Sequence, residues 1–386
     1  MKFKANQLIA LMIVLLLCST TYAQENLQKV KIASGGHFFN YLPLDLAIAM
    51  NFFRDEGLQP ELIVLKSGTL TAQALISKQV DFSVNSVEHA IKAAEQGNSN
   101  LRMVCLFNET PGVLLLVDSK YKDKVKTVAD LKGMKLGVTS LGSATHMILA
   151  YLLQRNAVSL KDVEIVNAGI STFPAALKNG SIDAGIAGEP IASMMVEKGD
   201  AYVLKRFVTP QETQEAFGGP YNLLGLLTRK DLIESDPRLV QKMVTVHKRA
   251  LEWMNSHSAE ETTAALPSEV VGSDRVSYAK TLNLMKGFFS VDGSMSIKGA
   301  ENVLSSMKLS GAFDISKNFQ VQNFLDDRFL SMTNNPESHP QSPKAIKSSD
   351  SRQESSVGYI WVISFVAVVL IIAGSFAFMR RKGRNV

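Results

Sequence analysis

Six short stretches, most of them rich in glycine and hydroxyl residues, lie where an apolar run gives way to the next element. They are Ser34-Gly35-Gly36-His37-Phe38, Lys66-Ser67-Gly68-Thr69, Asn85-Ser86, the run from Thr139 through Ser140, Leu141, Gly142, Ser143, Ala144 and Thr145 to His146, Ala168-Gly169-Ile170-Ser171, and Ala187-Gly188-Glu189. Glycine lets a backbone approach another molecule closely, and the first turn of a helix carries unpaired N–H groups at the positive end of its dipole. Such spots suit a small anionic or strongly polar ligand. The run Ser140 to His146 is the richest, with Gly142 for access and Ser143 and Thr145 as hydrogen-bond donors. His146 adds a donor or a positive charge there, or equally serves as a structural histidine on the first helical turn. Each loop taken alone is also an ordinary turn and N-cap. Several at equivalent ends of an open sheet argue for one shared cleft. The candidate ligand set is Gly36, His37, Phe38, Ser67, Gly68, Thr69, Asn85, Ser86, Ser140, Gly142, Ser143, Thr145, His146 and Glu189.

Catalytic patterns are missing from the sequence. There is no HExxH, no G-x-S-x-G and no P-loop. Glu88 and Glu189 are lone acids, which read as hinge or surface groups. No metal site and no cofactor is expected. Of the two cysteines, Cys18 lies near the N-terminus, and Cys105 sits in the apolar run Met103-Val104-Cys105-Leu106-Phe107. Cys105 therefore reads as a small buried thiol in a strand, without a disulfide. The net charge of +5 is a property of the ends. Lys2, Lys4, Arg380, Arg381, Lys382 and Arg384 account for six of the 41 basic residues, and 36 acids balance the remainder. A near-neutral body excludes the basic surplus of a nucleic-acid binder.

The loops need elements to hold them, and the sequence alternates these regularly. Strands are predicted at residues 29–33, 62–65, 81–84, 133–138, 163–166, 182–186 and 223–227. Helices are predicted at 43–53, 71–77, 87–95, 144–154 and 173–178, a helical turn at 128–131, and further helices from 237 onward. This alternation argues for an α/β fold with mostly parallel sheets. A short repeat links two halves: Ala74-Leu75 precedes Val80-Asp81 as Ala176-Leu177 precedes Ile182-Asp183. Two similar lobes follow, with the chain passing out and back through hinges near residues 108–117 and 207–221.

The two ends differ from the body. Lys2 and Lys4, the apolar run 8–17 and Thr21-Tyr22-Ala23 make a secretory signal cleaved after Ala23. Lipid on Cys18 is the alternative, against which Leu17 stands as a large residue at the preceding position. Residues 357–379 carry no charge, are long enough to span a bilayer, and are followed by Arg380-Arg381-Lys382. The expected layout is a signal at 1–23, a first lobe at 28–113 completed by 211–332, and a second lobe at 114–210. A flexible linker at 333–356, a membrane helix at 357–379 and a cytoplasmic tail at 380–386 follow.

The body resembles the nitrate, sulfonate and taurine type of ABC transporter solute-binding proteins, a family related to binding proteins for a thiamine pyrimidine precursor. The resemblance rests on Asn51-Phe52-Phe53-Arg54-Asp55-Glu56-Gly57, Ser67-Gly68, Val80-Asp81-Phe82 and Asp130-Leu131-Lys132-Gly133. It continues through Gly142 to His146, Asp183-Ala184-Gly185, Glu189-Pro190 and Gly218-Gly219-Pro220-Tyr221. It implies a type II periplasmic-binding fold that closes on a small polar or anionic solute and delivers it to permease subunits in the membrane. The family often has Trp before the Glu-Pro pair, where this chain has Gly188, which empties one side of the cleft. Two other roles remain: a membrane-anchored sensor of the same solute, and a pyrimidine-precursor enzyme of the same fold. That enzyme group carries a cysteine-rich motif, which this chain lacks.

Overall fold

The computed structural model describes residues 27–285, 287–315 and 318–331. The expected signal, linker, membrane helix and tail lie outside these residues. Among the described residues, no helix is long and apolar enough to cross a membrane.

Ten strands run in chain order as β1 Gln28–Ser34, β2 Leu58–Val64, β3 Phe82–Ser86, β4 Leu101–Leu106 and β5 Val113–Asp118. β6 Lys135–Val138, β7 Glu164–Asn167, β8 Ala184–Gly188, β9 Ala201–Phe207 and β10 Leu224–Arg229 follow. They form two five-stranded sheets of one plan, β2-β1-β3-β10-β4 and β7-β6-β8-β5-β9. In each sheet the first three strands are parallel. The fourth strand arrives from the other half of the chain and pairs antiparallel on both sides. The sheets are therefore mixed rather than mostly parallel, because the chain crosses between lobes twice, at residues 107–112 and 208–223.

The helices that position the site are α1 Leu42–Ala49, α2 Phe52–Asp55, α3 Gly68–Ile76, α4 Glu88–Glu95, α5 Ala144–Arg155, α6 Phe173–Lys178 and α7 Ile191–Glu197. The single helix expected over 43–53 is broken into α1 and α2 at Asn51, whose φ of 59° is left-handed. Asparagine tolerates that conformation better than most residues, and it ends a right-handed helix.

The repeat has a physical meaning. Asp81 accepts the Lys31 N–H at 2.9 Å, and Asp183 accepts the Lys135 N–H at 3.0 Å. Each aspartate thus pins the entry of its strand to the neighbouring strand, β3 to β1 and β8 to β6. Val113 to Val117 was expected inside a hinge and is instead buried strand, paired between β8 and β9 in the second sheet. Cys105 is fully buried in β4, and burial pushes its thiol pKa up. Later in the chain the long helix α8 Pro237–Ser256 packs on α1, and α9 Ile297–Ser310 packs along α5.

Candidate ligand-binding cleft

The carboxyl ends of β1, β2 and β3 face those of β6, β7 and β8 across a cavity of about 90 Å³. The first lobe lines it with Phe38, Asn40, Tyr41, Gly68, Asn85, Ser86 and His89. The second lobe contributes Val113, Thr139, Ser143, Ala144, Thr145, Ile148, Ile170 and Gly188, and the returning chain adds Leu223 and Leu224. The wall is mostly apolar, with polar groups gathered at two places.

The first place is the N-terminus of α5. β6 ends at Val138, and Ser143 caps the helix, its hydroxyl oxygen accepting the His146 N–H at 3.4 Å. Thr139, Ser143 and Thr145 bring three hydroxyl oxygens within 2.9 Å of one another. Ser143 donates to the Ser140 carbonyl at 2.7 Å, and Thr139 donates to Ser143 at 2.9 Å. The Thr145 hydroxyl oxygen accepts the Thr139 N–H at 2.9 Å and approaches only acceptors whose own protons are spent. Its proton therefore turns to the Thr139 or Ser143 oxygen, each at 2.9 Å, and the three hydroxyls satisfy one another. The partial positive charge of a twelve-residue helix backs this corner.

The second place is the end of β3. Asn85 is spent on structure: its amide donates to the Gly68 carbonyl and to Thr71, both at 2.8 Å. Ser86 is 1% exposed, and its hydroxyl has no hydrogen-bond partner. A buried hydroxyl without a partner at a cavity wall is costly unless a ligand supplies one. Behind it lies Glu88, fully buried, with both carboxyl oxygens unpartnered. Burial raises its pKa to about 7, against a smaller opposing pull from Lys92. His89 Nε2 lies 3.4 Å from Glu88 Oε1, but out of line for a hydrogen bond. The pair is not ionic, because burial pushes His89 down to about 3 and leaves the ring neutral.

Of the residues expected to bind ligand, Phe38, Gly68, Asn85, Ser86, Ser143 and Thr145 line the cavity. The others are placed elsewhere. Gly36 bonds through its N–H to Ser34 at 3.1 Å. His37 holds the buried Asp45 at 2.9 Å, which raises the histidine pKa. Ser67 caps α3. Thr69 and Ser140 meet each other across the two lobes, oxygen to oxygen at 3.2 Å. The Gly142 carbonyl accepts from Lys92 of the first lobe. His146 is structural: Nδ1 accepts the Gly142 N–H at 3.0 Å, and burial lowers its pKa. Glu189 turns from the cavity to accept from Ser193 N–H and hydroxyl at 2.9 and 2.8 Å, capping α7. Gly188 does line the wall, and the oxygen of Asn40 stands 3.7 Å from where its Cβ would be. Asn40, Tyr41 and His89 could not be picked out from the sequence because they lie within helices or just before them, beyond the loops.

A family profile described as NMT1/THI5 like matches residues 38–261, more than half of the sequence. The chain belongs to the NMT1/THI5-like family. Among curated proteins it is 23% identical over 330 residues to a putative aliphatic sulfonates-binding protein of Bacillus subtilis (strain 168), covering 84% of this chain and 94% of that one. Among solved structures, a protein of Bordetella bronchiseptica RB50 shares 27% identity with a TM-score of 0.74, covering 79% of this chain and 96% of that one. The alkanesulfonate-binding protein SsuA from Xanthomonas axonopodis pv. citri, bound to MOPS, shares the fold at 18% identity and a TM-score of 0.63. It covers 78% of this chain and 98% of that one. The two-lobed body of this NMT1/THI5-like chain is therefore a periplasmic-binding-protein fold, and its cavity occupies the gap between the lobes.

Proposed function

We propose that this protein is the extracytoplasmic solute-binding component of an ABC importer. Its solute is small and polar or anionic, of sulfonate, nitrate or taurine kind, and rests between the lobes. The observation that carries the reading is the unpartnered Ser86 hydroxyl, which shares a cavity with the Thr139, Ser143 and Thr145 hydroxyl cluster at the positive end of the α5 dipole. A negatively charged head fits the helix end without a cationic side chain. The remaining apolar wall of Phe38, Ile148, Ile170 and Leu224 suits a short carbon body or none. The volume of about 90 Å³ favours small solutes, being below that of a cavity of about 150 Å³ known to hold benzene. The sulfonate-binding relatives support this choice.

The layout follows from this role. Residues 28–113 with 211–332, and 114–210, are the two lobes. The signal at 1–23 exports them, and residues 357–379 anchor them beside the permease, raising their local concentration there. The test is a thermal-shift series on the full chain against nitrate, methanesulfonate, taurine and a neutral aminopyrimidine. A rise in Tm with one of the anions, growing with concentration, is expected. No rise with any of them sinks the reading, and a rise with the pyrimidine alone changes the solute class.

A further inference from the structure

The structure assigns to Lys92 a role that rests on solute capture by the cleft: we propose that it is a positioning residue that fastens the lobes shut. Lys92 lies on α4 of the first lobe and does not line the cavity. Its ammonium donates to the carbonyl of Gly142, in the loop that leads into α5 of the second lobe. The bond closes over the seam where Thr69 meets Ser140 at 3.2 Å. Gly142 has φ of +80°, and a Cβ there would lie 2.9 Å from the Lys92 nitrogen. The left-handed turn favours glycine here, and the absence of a side chain leaves the ammonium room to approach.

A third element covers this joint. Phe313, just beyond α9, places its ring 4.8 Å under the Lys92 ammonium and 5.8 Å edge-on from His146 of the second lobe. A ring so placed attracts the cation and shields its bond from water, which strengthens it. One side chain thus touches both lobes and the returning chain at once. Separating the lobes breaks the Gly142 bond, the Phe313–His146 ring contact and the Thr69–Ser140 contact together. The population of the closed form then depends on Lys92 although the solute does not meet it.

The experiment needs no solute, so its outcome stands apart from that of the solute screen. Spin labels go on Gln73→Cys and Ser171→Cys, exposed positions of the two lobes, in the full chain with Cys18→Ser. Cys105 is 0% exposed and stays unlabelled. Wild type, Lys92→Met and Lys92→Arg are compared by interspin distance, with thermal melts to verify folding. The expected result is a closed population at least about threefold smaller in Lys92→Met and restored in Lys92→Arg. Equal distance distributions in wild type and Lys92→Met overturn the proposal. If Lys92→Met does not fold, Phe313→Leu is measured by the same distance. A smaller closed population in that variant then supports the fastening role, and an unchanged one overturns it.

Discussion

Glu88 stores an uncompensated acid behind the wall of the cleft. Tyr41, His89, Lys92 and Tyr221 surround it, and burial holds its pKa near 7. An acid whose pKa is raised on folding binds its proton more tightly in the native state. Its stabilising effect is complete below the unfolded value, near 4.5, and is lost as pH rises to about 7. The loss is about 3 kcal/mol. Glu88→Gln should therefore melt higher than wild type at pH 7.5 and match it near pH 4, with Tm measured across that range. A parallel offset at all pH values would show that Glu88 is not the titrating group. His89 acts in the other direction: a lowered histidine pKa costs stability as pH falls below 6.5. Ser86 offers a second check. Ser86→Ala removes a buried unpartnered hydroxyl, so the free protein should gain about 1 kcal/mol while solute affinity falls by about tenfold. Unchanged affinity by calorimetry would place the solute away from β3. At this scale the sequence revealed the loops but not the division of labour within them. Ser143 and Thr145 were legible because a helix start after a strand is a local signal. His146 and Glu189 are instead spent on partners four residues away within their own turns, and Thr69 meets Ser140, 71 residues on, a partner that only the folded chain supplies.

The elements repeat the lesson at larger spacing. Parallel strands followed by helices were readable because each unit is local, and the Asp81 and Asp183 pins recur with it. β5 and β9 were missed. Val113 to Val117 is apolar on both faces, so it shows no alternation, and its partners β8 and β9 lie some 70 to 90 residues onward in the sequence. The break at Asn51 was masked by a continuous apolar pattern that suits one helix as well as two. Central strands also limit what the second sheet can hold. Gly185 of β8 faces Gly137 of β6, and a Cβ at Gly185 would stand 2.2 Å from the Gly137 carbonyl oxygen. The obstacle is backbone in the middle of a sheet, so it cannot rotate away. Gly185→Ala should lose about 3 kcal/mol in denaturant unfolding. A loss within the error of the extrapolation would mean that the sheet has slack at its centre.

At the scale of the whole molecule, the two crossings tie the lobes so that they can move apart without either sheet being rebuilt. β5 and β10 each belong to one sheet while their connections leave from the other, so opening bends residues 107–112 and 208–223 and spares the ladders. Closure, by contrast, is recorded at the rim, where Thr69 and Ser140 face each other at 3.2 Å. Replacing both by cysteine puts two thiols at that contact, which lets a disulfide lock the rim. In the full chain with Cys18→Ser, solute added before oxidation should be retained through dialysis. Solute added after oxidation should produce no thermal shift beyond that of the locked protein, and reduction should restore both exchange and shift. Lobe separation then controls entry, because the cavity walls themselves are untouched by the substitution. Unhindered exchange of solute in the oxidised protein would instead mean that the cavity opens by a route other than parting of the lobes at Thr69 and Ser140.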